Sequence, residues 1–120
     1  MISFIVPAHN EEAWVGRCVS AIRNGAESLG EPHEIIVVDD ASTDATAAIA
    51  RQQGAQVVRA AHRQIAATRN AGAQQAHGDI FFFVDADTLT NAPAIQSALS
   101  AIRERVSPRK VTLSTLTIML

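Results

Sequence analysis

Cysteine and aromatic side chains are scarce in this chain of 120 residues, and tyrosine is absent. Cys18 is the single cysteine, which excludes an internal disulfide and a cysteine-based zinc site. Lys and Arg number 10 against 12 Asp and Glu, with no basic run, so no nucleic-acid surface is predicted. No apolar run reaches the roughly 20 residues of a transmembrane helix, and Met1 leads into a strand pattern without a basic leader. The sequence therefore predicts one cytoplasmic domain without a transmembrane segment.

Strand and helix patterns alternate along the chain. Short apolar runs predict strands at residues 2–6, 34–39, 56–59 and 80–84. Helical patterns follow each strand, and the last of them runs from about residue 91 to residue 106. Pro7 is expected to end the first strand, and Asn10 and Ser42 are expected to cap the first two helices. The alternation predicts an α/β fold, Rossmann-like, with three αβα layers and a mostly parallel sheet.

Polar residues follow three of the predicted strands. The clusters are Pro7-Ala8-His9-Asn10-Glu11, Asp39-Asp40-Ala41-Ser42 and Asp85-Ala86-Asp87. Because the carboxyl ends of parallel strands meet at one rim of the sheet, we expect the three clusters to lie together. Ligands of such sheets bind at that rim.

Asp85 and Asp87 directly follow a strand that is apolar throughout, which indicates burial on both faces. Alternation along extended backbone would place both carboxylates on the same side. Two carboxylates can hold Mn²⁺ or Mg²⁺ and leave coordination positions for a diphosphate. An acidic turn that caps the next helix is the alternative, because residues 88–91 also resemble turn and cap residues.

Four segments in order resemble the nucleotide-binding half of a family 2 glycosyltransferase with the GT-A fold. They are SFIVPAHNEE at 3–12, IIVVDDASTD at 35–44, ATRNAGA at 67–73 with AHGD at 76–79, and FVDADT at 83–88. The resemblance covers residues 1–106. It implies binding of a nucleotide-diphosphate sugar, most readily a UDP-sugar. It also implies inverting transfer of the sugar with Mn²⁺ or Mg²⁺ as cofactor.

The resemblance implies roles for residues around the nucleoside. The backbone of Pro7 and Ala8 would lie against it, and Asn10 and Glu11 would contact base or ribose. For that pair, a plain helix start is the structural alternative. Asp40 resembles the family's base-contacting acid, which accepts a hydrogen bond from a pyrimidine N–H. Asp39 ranks below it, as a strand-end or capping residue.

Other positions are implied to act at the diphosphate. Arg69 resembles the family's basic position near the donor, and Asn70 would tie its helix to the rim. A solvated helix face is the alternative for both, and Arg63 is a weaker basic candidate. Asp87 would bind the metal, with Asp85 beside it toward the ribose or the ion.

The chain departs from the family after Asp87. The family continues into an acceptor-binding half that supplies a catalytic carboxylate, because inverting transfer needs a base for the acceptor hydroxyl. Here Glu104 is the only later acid, so the catalytic base is unknown and the acceptor half is expected to be missing. Residues 107–120 form an atypical tail that alternates apolar residues with Thr or Ser. It predicts an added strand, either on its own sheet or in a homodimer formed through the sheet edge or the tail.

Two other functions fit parts of the pattern. A non-catalytic nucleotide-binding or assembly module would carry the same donor motifs. A phosphorelay receiver domain has a similar length and an apolar strand that ends in two acids, as Val37-Val38-Asp39-Asp40 does. In receivers, however, that pair ends the first strand, and the required lysine lies farther from the phosphorylated aspartate than Lys110 lies from Asp85.

Overall fold

The structure is a computed structural model that describes residues 1–105 and 116–119. Within these residues the sheet contains five parallel strands. The strands are β1 (Ile2–Ala8), β2 (His33–Asp40), β3 (Gln56–Ala60), β4 (Ile80–Phe83) and β5 (Leu116–Met119). The helices are α1 (Val15–Ser28), α2 (Thr46–Gln52), α3 (Ile65–Gln75) and α4 (Ala92–Arg105). The strand order is β3-β2-β1-β4-β5, and each neighbouring pair is parallel.

Helices cover both faces of the sheet. On one face Phe4 and Phe82 pack with residues of α1 and α4, including Ile22 and Leu99. On the other face Ile5, Ile36, Val38 and Phe83 pack against apolar residues of α3. The strands are continuous apolar runs because consecutive residues are buried in opposite cores. The predicted α/β fold with three αβα layers is thereby confirmed.

The order of the strands reverses between β1 and β4. The chain leaves β1 toward β2 on one side, whereas α4 and β5 follow β4 on the other side. A crevice forms at such a switch point, outside the carboxyl ends of the strands, and ligands of open α/β sheets bind there. The observed order also excludes the receiver alternative, because receivers have the order 2-1-3-4-5.

Pro7 does not end β1, which corrects the predicted boundary. Pairing with β2 continues through Pro7 and Ala8, opposite Val38 and Asp39. On the β4 side, the Val84 N–H donates to the Ile5 carbonyl at 3.0 Å. The next bond of that parallel ladder would need an N–H on Pro7, which proline lacks. Pro7 therefore ends the pairing with β4 and leaves the pairing with β2 intact.

The first two helices begin later than predicted, and Asn10 and Ser42 are not their caps. α1 begins at Val15 and α2 at Thr46, in each case after a residue without a side-chain capping bond. Both predicted caps lie instead in loops at the carboxyl ends of β1 and β2. The predicted start of α4 is correct, because the Asn91 carboxamide accepts the Ala94 N–H at 2.8 Å.

Part of the atypical tail lies in the sheet. β5 pairs with β4 in the register Ile80↔Leu116 to Phe83↔Met119. Residues 106–115 and 120 lie outside the described residues, so the division of the chain at residue 106 stays a prediction. Within the described residues, no helix has the length and apolarity needed to cross a bilayer.

Helix α3 lies unusually close to the sheet at Gly72. A Cβ atom at this position would lie 2.5 Å from Ile5 Cγ2 and 2.7 Å from Val38 Cγ2. Both neighbours are fully buried side chains of central strands, so they have little room to move. The close approach allows α3 to cover β1 and β2 directly beneath the rim.

We expect Gly72→Ala to lower the free energy of unfolding by about 1–3 kcal/mol, because overpacking outweighs the helix propensity that alanine gains. Urea denaturation measures the change. Gln74→Ala, at an exposed position of the same helix, is the matched control and should change stability by less than about 0.5 kcal/mol. A Gly72→Ala protein as stable as the wild type would show that α3 can move away from the sheet.

Candidate functional site

A cavity of about 360 Å³ lies at the carboxyl ends of β1, β2 and β4, at the switch point of the sheet. It brings together residues from all three predicted polar clusters and the start of α3. The lining residues are Pro7, Ala8, His9, Glu11, Asp40, Arg63, Gln64, Ile65, Thr68, Asp85, Ala86 and Asp87.

Asp40 lines the cavity with a carboxylate that backbone donors hold in place. The side chain accepts the N–H of His62 at 2.7 Å and of Arg63 at 2.9 Å. Arg63 has a left-handed backbone with φ of 49°, in the turn that leads from β3 to α3. Asp40 is 5% exposed, and each of its oxygens keeps a second lone pair for a ligand donor.

Asp39 is also buried but lies on the opposite face of β2. Its carboxylate accepts the Ser42 N–H at 3.2 Å and lies 3.7 Å from the Arg59 guanidinium. It is absent from the lining of the cavity. The structure thus gives Asp39 a strand-end role and leaves Asp40 at the cavity.

Asn10 joins two loops of the rim and does not line the cavity. Its backbone has φ of 51°, a left-handed conformation that asparagine tolerates. Its N–H donates to the Ser42 hydroxyl at 2.9 Å, and its side-chain carbonyl accepts the Thr43 N–H at 2.8 Å. The β1–α1 and β2–α2 loops are therefore fastened to each other at this residue.

Glu11 follows in the same loop, and its side chain does line the cavity. Its N–H donates to the Thr46 hydroxyl at 2.9 Å, and its carbonyl accepts the Val15 N–H at 2.8 Å. Partial burial raises the pKa of Glu11, and the nearby charges of Asp87 and Asp44 add to the increase. A carboxylate at this place adds to the negative charge that the cavity presents to a cation.

Asp85 and Asp87 belong to a turn and not to extended backbone. β4 ends at Phe83, and the Thr88 N–H donates to the Asp85 carbonyl at 2.9 Å. The prediction that strand alternation puts both side chains on one side is therefore wrong. Both carboxylates are nevertheless exposed and line the cavity. No group of three or more His, Cys, Asp and Glu side chains suited to a metal occurs within residues 1–105 and 116–119.

Arg69 reaches the cavity only through Asp85. One guanidinium nitrogen lies 3.7 Å from Asp85 Oδ1, and the side chain is 26% exposed. Its Nε is buried and has no hydrogen-bond partner among the residues that the structure describes. Asn70, next to it on α3, is exposed and does not line the cavity.

Residues at the start of α3 form one wall of the cavity and were not predicted from the sequence. Gln64, Ile65 and Thr68 line the cavity, and the Gln64 side chain accepts the Ala67 N–H at 2.6 Å as the helix cap. Gln64 is not among the residues that usually cap a helix, which are Ser, Thr, Asp and Asn, so the sequence carried little signal for a helix end at this place.

Cys18 lies beneath the acidic turn. Its thiol donates to the Asp85 carbonyl at 3.5 Å. Burial raises the pKa of Cys18 to about 12, and the charges of Asp87, Asp85 and Glu11 contribute. A buried thiol that stays protonated is a poor nucleophile, and its contact with the Asp85 carbonyl supports the turn.

Comparison with known proteins agrees with this geometry. The family model described as Glycosyl transferase family 2 matches residues 3–107. The undecaprenyl-phosphate 4-deoxy-4-formamido-L-arabinose transferase of Pseudomonas paraeruginosa is 36% identical over 105 residues, which are 78% of this chain and 29% of that protein. The chain thus spans less than a third of that relative's length.

Solved structures share the fold. A mannosyltransferase from Pyrobaculum calidifontis in complex with GDP-Man and Mn²⁺ superposes with a TM-score of 0.73 at 27% identity, over 89% of this chain and 32% of that one. The glucosyl-3-phosphoglycerate synthase of Mycobacterium tuberculosis, in complex with Mn²⁺, UDP and glucosyl-3-phosphoglycerate, has a TM-score of 0.66 at 28% identity. That match covers 85% of this chain and 39% of the other.

The family model covers more than half of the chain and includes every residue that lines the cavity. The strand order, the cavity at the switch point and these comparisons agree with one another. The chain belongs to glycosyl transferase family 2 and shares its α/β sheet with the GT-A glycosyltransferases.

Proposed function

We propose that this chain binds the nucleotide part of a nucleotide-diphosphate sugar, most readily a UDP-sugar, for inverting transfer of the sugar. The observation that carries the proposal is the joint position of Asp40 and of the acidic turn at Asp85 and Asp87. They line one cavity at the switch point, and a nucleoside diphosphate needs contacts at both of its ends.

The nucleoside of the ligand would bind at the carboxyl ends of β1 and β2. Pro7 and Ala8 line the cavity there together with Asp40. The Asp40 carboxylate is fixed by two backbone donors, so it can accept the N–H of a pyrimidine without reorganising. A base contact by Asn10 is not part of the proposal, because its side chain bonds the neighbouring loop.

The diphosphate end lies at the acidic turn. Asp85 and Asp87 would hold Mn²⁺ or Mg²⁺, since such ions are bound through one or two carboxylates together with substrate phosphates. When bound, the ion neutralises charge on the leaving diphosphate. Arg69, with an unpartnered Nε within the described residues and a guanidinium near Asp85, is suited to move toward a phosphate. Mn²⁺ in the related structures supports this assignment.

We expect UDP to bind more tightly with Mn²⁺ than without it, and Asp87→Ala to remove that difference. Loss of a metal-binding carboxylate should weaken binding by at least about tenfold, or 1.4 kcal/mol. Calorimetry with UDP, each protein with and without Mn²⁺, measures both quantities. Glu104→Ala, which removes an exposed carboxylate of α4, is the control. Equal metal dependence in the Asp87→Ala protein and the wild type would contradict the assignment.

Asp40→Asn should reduce the preference for UDP over CDP, because only the uracil ring presents an N3–H donor. The preference is the ratio of the dissociation constants for UDP and CDP. A general loss of stability changes both constants by the same factor and leaves their ratio unchanged. Such a loss is expected, at about 1–3 kcal/mol, because the new amide turns a donor toward a backbone N–H. Calorimetry with both nucleotides at one temperature measures the ratio. An unchanged ratio would remove Asp40 from base recognition.

We expect no appreciable sugar transfer to an acceptor by this chain alone. Glu104 is the only acid that follows Asp87 in this sequence, and it is exposed on α4. No residue after Asp87 is therefore placed to act as the base for the acceptor hydroxyl. Radiolabelled UDP-sugar with lipid and glycan acceptors tests this, and slow hydrolysis by water is compatible with it. Robust transfer would show that one of the cavity carboxylates serves as the base.

A non-catalytic nucleotide-binding or assembly module is the second candidate. The same donor site supports it, and transfer by a longer chain that contains this one would decide against it. A cytoplasmic location and homodimer formation through the sheet edge or the tail stay predictions.

A further inference from the structure

A chain of hydrogen bonds crosses the rim from the β2–α2 loop to the end of β2 by way of Asn10 and His9. The Thr43 N–H donates to Asn10 Oδ1 at 2.8 Å, and Asn10 Nδ2 lies 3.2 Å from His9 Nε2. At the other end, His9 Nδ1 lies 2.7 Å from the Asp40 carbonyl oxygen. His9 also lines the cavity.

Both ends of this chain are backbone groups, and their polarity is fixed. The Thr43 N–H can only donate, so the Asn10 atom that it meets is the carbonyl oxygen. The other Asn10 atom is then the NH₂ group, which donates to His9 Nε2. The Asp40 carbonyl can only accept, so His9 Nδ1 carries a proton. Each bond therefore has one possible direction.

A single protonation state of His9 satisfies every bond. Nε2 must keep its lone pair for the Asn10 amide, and Nδ1 must be protonated, which defines the neutral Nδ1–H tautomer. A proton on Nε2 would oppose the NH₂ group of Asn10. Rotating the amide by 180° would relieve that conflict but would turn NH₂ toward the Thr43 N–H.

Charged groups from several elements line the same cavity as His9. The Asp40 carboxylate lies at the end of β2, Arg63 precedes α3, and Glu11 follows in the same loop as His9. Asp85 and Asp87 face the cavity from the turn after β4. His9 therefore shares the cavity with four carboxylates, and the Asn10 amide is the group that bonds its Nε2 directly.

We propose that Asn10 is a positioning residue that holds His9 as the neutral Nδ1–H tautomer at the wall of the cavity. His9 then offers the bound nucleotide an uncharged aromatic surface, and its Nε2 lone pair is not free to bind a cation. This proposal depends on the proposed function only for the identity of the ligand, a nucleotide. The protein without a ligand is expected to have the same His9 tautomer.

Nitrogen-15 NMR of the histidine ring in the free protein at pH 7 tests the proposal, with His9 assigned by comparison with His9→Asn. The wild type should show one protonated ring nitrogen, Nδ1. Asn10→Asp keeps an acceptor for Thr43 but turns a carboxylate toward Nε2, so both ring nitrogens should then be protonated. An Nε2–H tautomer or an imidazolium in the wild type would overturn the proposal, as would an unchanged ring in Asn10→Asp.

Ser42→Ala is the matched control. It removes the acceptor of the Asn10 N–H at 2.9 Å and leaves the hydrogen bonds from Thr43 through Asn10 and His9 to Asp40 intact. Its His9 signals should match those of the wild type, and a change as large as that in Asn10→Asp would overturn the proposal. UDP titration of the same proteins separates the two hypotheses. The expected tautomer in a protein that does not bind UDP would refute the proposed function and leave the role of Asn10 in place.

Discussion

Every part of the candidate site depends on the pairing of β1 with β2 on one edge and β4 on the other. This arrangement opens the crevice, because the connections from β1 and β4 leave in opposite directions. Pro7 adds a local constraint, since its missing N–H ends the ladder with β4 before β1 itself ends. The acidic turn is thereby released from the sheet beside a strand that continues.

Several polar side chains of the rim accept hydrogen bonds from backbone N–H groups of other segments. Asp40 receives two N–H groups from the segment before α3, and Asn10 and Glu12 bond backbone N–H groups of the β2–α2 loop. Backbone partners hold these side chains in one geometry before a ligand arrives, which lowers the entropy lost on binding. By contrast, Asp85 and Asp87 keep exposed carboxylates, which suits the proposed binding of an ion.

The layers could be predicted from the sequence because burial on both faces leaves continuous apolar runs such as Ile35 to Val38, whereas a strand with one solvated face alternates. The predicted helix caps Asn10 and Ser42 were wrong for a physical reason. A short polar side chain before a helix bonds whichever backbone N–H is nearest, and here the nearest belongs to another loop. Residues 32 or 33 positions apart in sequence supply these partners, so the local pattern could not reveal them.

Long-range structure also explains why Asp39 and Asp40, adjacent and chemically identical, have different places in the site. Extended backbone sends their side chains to opposite faces of β2, and only the face covered by α3 is open at the rim. On that face the chain before α3 turns back over the end of β2 through the left-handed Arg63, and its N–H groups meet Asp40. The sequence identifies the pair of acids, but the choice between them depends on which face the next helix covers. The connection from β3 to β4 runs across the sheet in the direction opposite to the two earlier connections, so a right-handed crossover places α3 on the other face. Gly72 allows the helix to pass close over β1 and β2.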